Sequence, residues 1–439
     1  VSDKFLRVIV VGGGAAGFFG AIAAAKAHPQ TRITLLEAGR ELLAKVRISG
    51  GGRCNVTHAC FDPGILVQNY PRGGKALRGA FTRFQPRDTV EWFASHGIKL
   101  KTEADGRMFP TTDDSATIVN SLIQAAKDAG VEIRTGVAAV SIKRLTPDFA
   151  TSKPLQIETE LADKLSVSDR FPISNPHSPS FEIELKSGEK LKGDRILLAT
   201  GSSPSGFKWA QNLGHTIQPP VPSLFTFNIS DIRLQDLAGV SVGNVRVQLP
   251  AAKLEQTGPI LITHWGLSGP AVLKLSAWGA RFLHECRYQT SLLINWLPQY
   301  NPDVLRQQLL AVKSQLPRRA IATSCPLPIP RRLWEHLTVA VGIDSEKRWS
   351  ELSNKSLNQL IQELSQGEYK IKGKGAFKEE FVTCGGVNLK EVDFKTMESR
   401  CCPGLYFAGE ILDIDGVTGG FNFQSAWTTA WLAGQAIGK

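Results

Sequence analysis

No stretch of about 20 uninterrupted apolar residues occurs in the chain, so a membrane-spanning helix is not expected. Lys4 and Arg7 before the apolar run Val8–Ala25 imitate a secretory leader, but Gly12, Gly13, Gly14 and Gly17 interrupt that run and suit a phosphate-binding turn better. The seven cysteines are an odd number at unrelated spacings, which argues against a disulfide framework and fits reduced thiols in a cytoplasm. The adjacent pair Cys401–Cys402 has no companion CxxC or His pair along the sequence, so no zinc site is expected there. No internal repeat is visible. Acidic residues are the scarcer charge, 40 against 51 Lys and Arg, leaving a formal net charge of +11. That excess fits an anionic partner, whether a nucleotide, RNA or a membrane surface, or simply a basic exterior. With 42% hydrophobic and 21% charged residues over 439 positions, the chain is not a disordered one and is long enough for two or three domains.

What is present at the start is a nucleotide-binding βαβ pattern. Val8–Val11 is a short β-branched run of the kind buried in parallel sheets. Gly12-Gly13-Gly14-Ala15-Ala16-Gly17 follows, then a small-residue helix over Ala21–Ala27, then a strand over Ile33–Leu36 ending at Glu37. Gly12 permits the tight turn, Gly14 lets backbone approach a pyrophosphate, and Gly17 lets the helix lie close to its strand. The helix N-terminus offers free N–H groups to phosphate. Glu37 stands where an acid accepts from a ribose 2′-hydroxyl, which favours FAD or NAD over a 2′-phosphorylated dinucleotide.

A second glycine-rich loop, Ser49-Gly50-Gly51-Gly52-Arg53-Cys54-Asn55, favours FAD, the longer cofactor, with Arg53 as a phosphate partner. Ile196–Gly201 reads as a strand entering the turn Ala199-Thr200-Gly201. Leu405–Glu410 repeats the pattern of strand, glycine and acid; Asp413, Asp415, Gly416, Gly419 and Gly420 follow, with a helix over Gln424–Ile437. The competing reading of this last block is ordinary turn chemistry.

Six blocks in one order, Ser49–Asn55, Gly106–Pro110, Thr263–Pro270, Val382–Val387, Thr396–Ser399 and Gly409–Gln424, resemble the HI0933-like flavoprotein family. That family includes bile-acid reductases, aminoacetone oxidases and ribosomal RNA dihydrouridine synthases. The resemblance implies an α/β fold: a Rossmann-like FAD-binding domain of the two-dinucleotide-binding type with an inserted β-barrel-like and helical domain. It implies FAD contacts from Gly12, Gly14, Ala15, Ala16, Gly17, Glu37, Ala38, Lys45, Ser49, Gly51, Gly52, Arg53, Cys54, Asn55 and Val137. In the remaining blocks it implies contacts from Ala199, Thr200, Gly201, Gly409, Glu410, Asp415, Gly419, Gly420, Phe421 and Asn422. It also implies that the acid after the last strand binds the ribityl chain and that the last helix points its N-terminus at the flavin O2 region. Two positions depart from the family pattern. Ser202-Ser203-Pro204 replaces a longer loop with Tyr and Pro, and Phe421-Asn422 stands where the family has Tyr-Asn, which puts any role of that phenol in doubt.

The organisation expected is an FAD domain over residues 1–203 and 369–439, with an insert over 204–368 that is β-rich to about 300 and helical beyond. Helical spacing over Thr117–Gly130 and a strand over Val131–Thr135 belong to the first part. So do meander strands over Val137–Leu145 and Phe181–Leu191, with a surface excursion at Pro147–Ser180 between them. The pair Cys54 and Cys60 invites comparison with redox dithiols, but residues 204–368 hold no second strand–glycine–helix unit for a nicotinamide cofactor, which such reductases carry. NADH or NADPH, if it is the donor, must therefore dock transiently. Cys54, His264 and Asn422 are the candidates for proton transfer or polarisation, with a purely structural histidine as the alternative for His264. Tyr70–Arg87 carries Arg72, Lys75, Arg78, Arg83 and Arg87 with no acid, interleaved with Tyr70, Phe81 and Phe84. This is an RNA-binding composition or a solvated helix with its aromatics in the core. Arg318, Arg319, Arg331 and Arg332 are candidates to extend it. The function expected is FAD-dependent reduction of an activated C=C bond, with uracil in ribosomal RNA as one substrate. A small-molecule oxidase or enone reductase, and a non-catalytic flavin-bearing RNA-binding protein, stay open.

Overall fold

The computed structural model describes residues 5–145, 181–375 and 382–439; the excursion at Pro147–Ser180 lies outside them. The chain forms two compact units, one of Val1–Pro219, Gly385–Ile414 and Gly419–Lys439, the other of Pro220–Cys384 and Asp415–Thr418. The divisions fall later than the 203/204 and 368/369 read from sequence, because the helix Pro204–Asn212 belongs to the first unit and the strands Gly367–Ile371 and Gly373–Lys374 to the second.

In the first unit a seven-stranded sheet runs, edge to edge, Val392–Asp393, Glu398–Ser399, Leu405–Phe407, Arg195–Leu198, Leu6–Val11, Thr31–Leu36 and Glu132–Arg134. The last five are mutually parallel and the first two antiparallel. Val8 to Val11 are buried, as expected for a strand covered on both faces. The first helix, Ala15–Ala27, is apolar nearly all round and accordingly buried. It packs on the last helix, Phe421–Ala436, through small residues: a Cβ on Gly434 would stand 2.6 Å from the Ala23 Cβ and 2.9 Å from the Gly20 carbonyl oxygen. Both helices begin earlier than their apolar runs suggest, at Ala15 and at Phe421, so each glycine-rich turn feeds straight into a helix N-terminus.

The second unit has its own seven-stranded antiparallel sheet in the order Gly367–Ile371, Thr290–Asn295, Ser241–Leu249, Leu254–Thr263, Gly266–Ser268, Phe227–Asn228, Gly373–Lys374. Its two edge strands are separated in sequence only by Lys372, so the sheet curls until its edges meet, the closure of a small barrel. The helices Pro302–Gln315, Arg331–Ala340 and Asn354–Gln366 accompany it, with Trp296, Trp334 and Trp349 fully buried in the core they share. Trp334 and Trp349 give their indole N–H groups to the Ile321 carbonyl and Ser324 hydroxyl, both at 2.8 Å, so that burial leaves neither donor unpaired. Among the described residues no helix is long and apolar enough to cross a membrane.

Candidate functional site: a dinucleotide cradle in the first unit

Three strand ends of the parallel sheet and two glycine-rich turns converge in the first unit. Gly12 follows the first strand with φ of +114°, and a Cβ there would sit 2.4 Å from the Ala199 carbonyl oxygen. The turn at 12–14 and the Ala199–Gly201 turn are thus in backbone contact. Gly409, with φ of +75°, brings the third strand end to the same place, since its Cβ would lie 2.8 Å from the Ala16 Cβ. The first N–H groups of the helix Ala15–Ala27 have no partner within that helix and are available to an anion.

Glu37 ends the second strand half-buried, and its carboxylate accepts the N–H groups of Gly13 and Gly39, both at 2.7 Å. A carboxylate has about four lone-pair sites, so two remain for hydroxyl donors after the loop is fixed. The Glu37 carbonyl accepts Val137 N–H at 2.9 Å, which places Val137, far off in sequence, beside the acid. Lys45 and Glu410 form an ion pair of 2.8 Å, and Glu410 also lies beside Gly201, whose Cβ would be 3.8 Å from its Oε2.

The second glycine loop lies at the end of a helical segment, Ala44–Gly52, that breaks at Ser49–Gly51, where Gly50 and Gly51 turn left-handed. Past it, Asn55 bridges to the last helix. With its amide nitrogen donating to the Thr57 carbonyl at 3.0 Å, its oxygen accepts Gly420 N–H at 2.9 Å. Gln424, fully buried, accepts the hydroxyls of Thr57 and Thr89 at 2.6 and 2.9 Å and donates to Thr428 at 3.0 Å. Trp427 donates its indole N–H to the Val56 carbonyl at 2.9 Å. His58 stacks on Phe421 with ring centroids 4.7 Å apart, and Tyr70 donates its hydroxyl to the Phe421 carbonyl at 2.7 Å. Burial raises the Tyr70 phenol well above its ordinary range, so it remains a fixed donor.

The residues fit FAD by a backbone criterion. A Cβ on Gly14, Gly51 or Gly52 would meet nothing within 4 Å, so three glycines expose bare backbone to open space, as close approach to a long dinucleotide requires. Two residues expected at this site have surroundings that the sequence pattern does not indicate. Arg53 was expected to meet a phosphate. Its guanidinium instead pairs with Glu103 at 2.6 Å and Asp113 at 3.5 Å and lies 4.0 Å over the Phe109 ring, so its charge is matched within the protein. Cys54 was a candidate proton carrier. It is fully buried, adopts φ of +61°, and desolvation pushes its thiol up to about 12, out of range for proton exchange near neutrality.

Other candidates lie elsewhere. His264 is exposed at the turn between the strands Leu254–Thr263 and Gly266–Ser268 of the second unit. Asp415, also of that unit, is fully buried and accepts the Ser223 hydroxyl at 2.8 Å. Asn422 is half-buried in the first turn of the last helix. Of the basic segment, Lys75, Arg78, Arg83 and Arg87 are exposed, but Tyr70, Phe81 and Phe84 are buried. Those aromatics are core and not stacking surfaces: Phe81 lies on the inward side of the short helix Gly74–Phe81, Phe84 packs on Phe19 and Trp431, and Tyr70 is bonded to the Phe421 carbonyl. Sequence reasoning passed over Thr57, His58, Thr89 and the hub at Gln424. The available signal was the run of polar residues Gln424, Ser425, Thr428 and Thr429 within a final helix that is otherwise largely apolar.

Fold and cradle together define a Rossmann-type FAD-dependent oxidoreductase. The chain belongs to the HI0933-like family: residues 6–167 match the HI0933-like protein Rossmann domain and residues 221–382 the HI0933-like protein barrel and H2TH domain. It is 28% identical to the 3-dehydro-bile acid delta(4,6)-reductase of Clostridium scindens, over 99% of both chains. It is 29% identical to the ribosomal RNA dihydrouridine synthase of Escherichia coli, over 98% of this chain and 97% of that one. Among solved structures, the 3-ketosteroid-delta4-(5alpha)-dehydrogenase of Rhodococcus jostii RHA1 is similar at a TM-score of 0.48 and 14% identity, covering 100% of this chain and 98% of that one.

Proposed function

We propose that this chain uses FAD to saturate a C=C bond conjugated to a carbonyl, and that its substrate is a uracil base in ribosomal RNA. The carrying observation is the shared chemistry in the names of two full-length relatives, a delta(4,6)-reductase and a dihydrouridine synthase, since both denote reduction of an activated double bond. When bound, FAD supplies the hydride. The chain's own residues do the rest. Glu37 and the N-terminus of the helix Ala15–Ala27 would hold the ribose and phosphates, and the Lys45–Glu410 pair and the Gly409 turn would fix the neighbouring part of the cofactor. The N-terminus of the helix Phe421–Ala436 offers its positive end to negative charge. Asn422 polarises the substrate carbonyl by hydrogen bonding, and the Cys54 thiol, raised to about 12 by burial, is too weak an acid to exchange its proton readily near neutrality. NADH or NADPH would be the transiently docked donor that supplies the hydride to the flavin.

Exposed Lys75, Arg78, Arg83 and Arg87 support the RNA substrate through phosphate contacts alone, which predicts strongly salt-dependent and weakly sequence-selective binding. The burial of Tyr70, Phe81 and Phe84 favours a second reading, a small planar enone that needs no stacking platform in that segment. The test is anaerobic incubation of the reduced protein with a ribosomal RNA fragment lacking dihydrouridine, followed by nucleoside mass spectrometry, with a steroid enone in parallel. Gain of two hydrogens on uridine supports the RNA reading and gain on the enone alone the second; no product from either refutes the reductase.

A further inference from the structure

His215 meets Glu391 and Cys401, two residues close to each other and far later in the sequence, in the first unit. His215 follows the helix Pro204–Asn212, Glu391 closes the turn Leu389–Glu391, and Cys401 follows the strand Glu398–Ser399. We propose that these three side chains bind a divalent transition-metal ion of the zinc class, with the fourth position left to water.

The case is geometric. One donor atom from each residue lies within 4.8 Å of the other two. The His215 Nδ1 to Glu391 Oε2 separation is 3.3 Å, close to the roughly 3.4 Å kept by two tetrahedral ligands each about 2.0–2.1 Å from zinc. That contact is at ion-pair distance and makes no hydrogen bond of good geometry, so Nδ1, on a side chain with 0% exposure, has Glu391 as its facing group and no well-aligned bond. A histidine, a carboxylate and a thiol form a set that favours zinc-class ions over magnesium or calcium, which prefer oxygen alone.

The surroundings hold the three groups as an outer shell does. His215 Nε2 lies 2.8 Å from the Ser399 hydroxyl, which also accepts Cys401 N–H at 3.0 Å and Cys402 N–H at 2.7 Å. Glu391 Oε2 accepts Thr216 N–H at 2.8 Å. Without metal, the two amides occupy the Ser399 lone pairs, so its hydroxyl donates to Nε2 and the ring proton sits on Nδ1. Loading moves the ring proton to Nε2, turns Ser399 from donor to acceptor at the expense of the longer Cys401 contact, and releases the Cys401 thiol proton to solvent. Cys401 is exposed and provides the way in. No spacing motif marks this site, because His215 is brought to Glu391 and Cys401 only by the fold; the expectation of no zinc at Cys401 rests on neighbours along the chain.

The experiment uses the full-length flavin-loaded protein, stripped with chelator and titrated with Co2+. Absorption is read on the long-wavelength side of the flavin bands, where tetrahedral cobalt absorbs. Saturation at one ion per chain is expected, with Zn2+ displacing the cobalt. Cys401→Ser at an exposed position and Glu391→Gln at a half-buried one both leave the buried histidine in place and should each weaken binding by about tenfold or more. Zn2+ should also raise the thermal midpoint of the unsubstituted chain and not that of Cys401→Ser. Absence of a saturable cobalt band, or an unchanged affinity in both variants, overturns the proposal.

Discussion

The two glycine-rich turns of the first unit look alike in sequence and differ in what surrounds them. In the first, a Cβ on Gly17 would lie 1.8 Å from the Gly12 carbonyl oxygen, and one on Gly12 would lie 2.4 Å from that of Ala199. Both would collide with backbone, which has nowhere to move. In the second, Gly51 has φ of +69° and its Cβ would meet nothing. At Gly12 and Gly17 the first turn is therefore glycine because neighbouring backbone leaves no room, whereas at Gly51 no neighbouring atom stands in the way and only the left-handed φ favours glycine. One holds the sheet and helix together; the other keeps a surface bare.

Substitutions can break or sharpen that contrast. The largest effect is expected from Gly17→Ala, which should cost about 3 kcal/mol or more of unfolding free energy in a urea titration; a midpoint equal to that of the unsubstituted protein would mean the helix can shift away cheaply. Next is Gln424→Leu, which fits the space but strands the buried hydroxyls of Thr57 and Thr89, for a loss of about 2–3 kcal/mol. A loss below half of that would show that the threonines find other partners.

A smaller effect is one of pH. Burial lifts the Cys54 thiol from 9.0 to about 12, so above pH 9 the unfolded chain sheds a proton that the folded chain keeps. The stability contributed by this group is thus present below pH 9 and falls as pH rises toward 12, by up to about 1.4 kcal/mol per pH unit. Urea titrations at pH 8 and 10 should show a fall of about 1 kcal/mol more in the unsubstituted protein than in Cys54→Ser. Equal falls would place the thiol in contact with solvent. The smallest effect is Lys45→Ala, which removes an ion pair whose lysine is 59% exposed and should change stability by less than about 1 kcal/mol. A larger loss would make the pair part of the folding core.

The contrast also explains what could be read in advance. Gly12, Gly17 and Glu37 were legible because strand, turn, helix and acid are contiguous, and contiguous constraints leave a pattern. The final strand and helix were legible for the same reason. Arg53 was misread because its partners Glu103 and Asp113 lie 50 and more positions away, and a lone arginine in a glycine loop looks available until they are seen. The same holds for Cys54, whose burial is decided by packing, and for Tyr70, Phe81 and Phe84, whose spacing suits both a stacking surface and a buried helix face. The Gln424 hub escaped for the opposite reason: its contacts to Thr57 and Thr89 join segments more than 300 residues apart.

The most direct test of the two-turn account is to measure FAD binding and stability together in Gly51→Ala. A Cβ in the left-handed region costs about 1 kcal/mol, so the FAD-free variant should unfold within roughly 1–1.5 kcal/mol of the unsubstituted protein. Its FAD dissociation constant should nonetheless rise about tenfold or more, an energy of about 1.4 kcal/mol at the cofactor alone. Unchanged FAD affinity would contradict the account, because the second turn would then be shaped by the chain's own geometry and not by the cofactor.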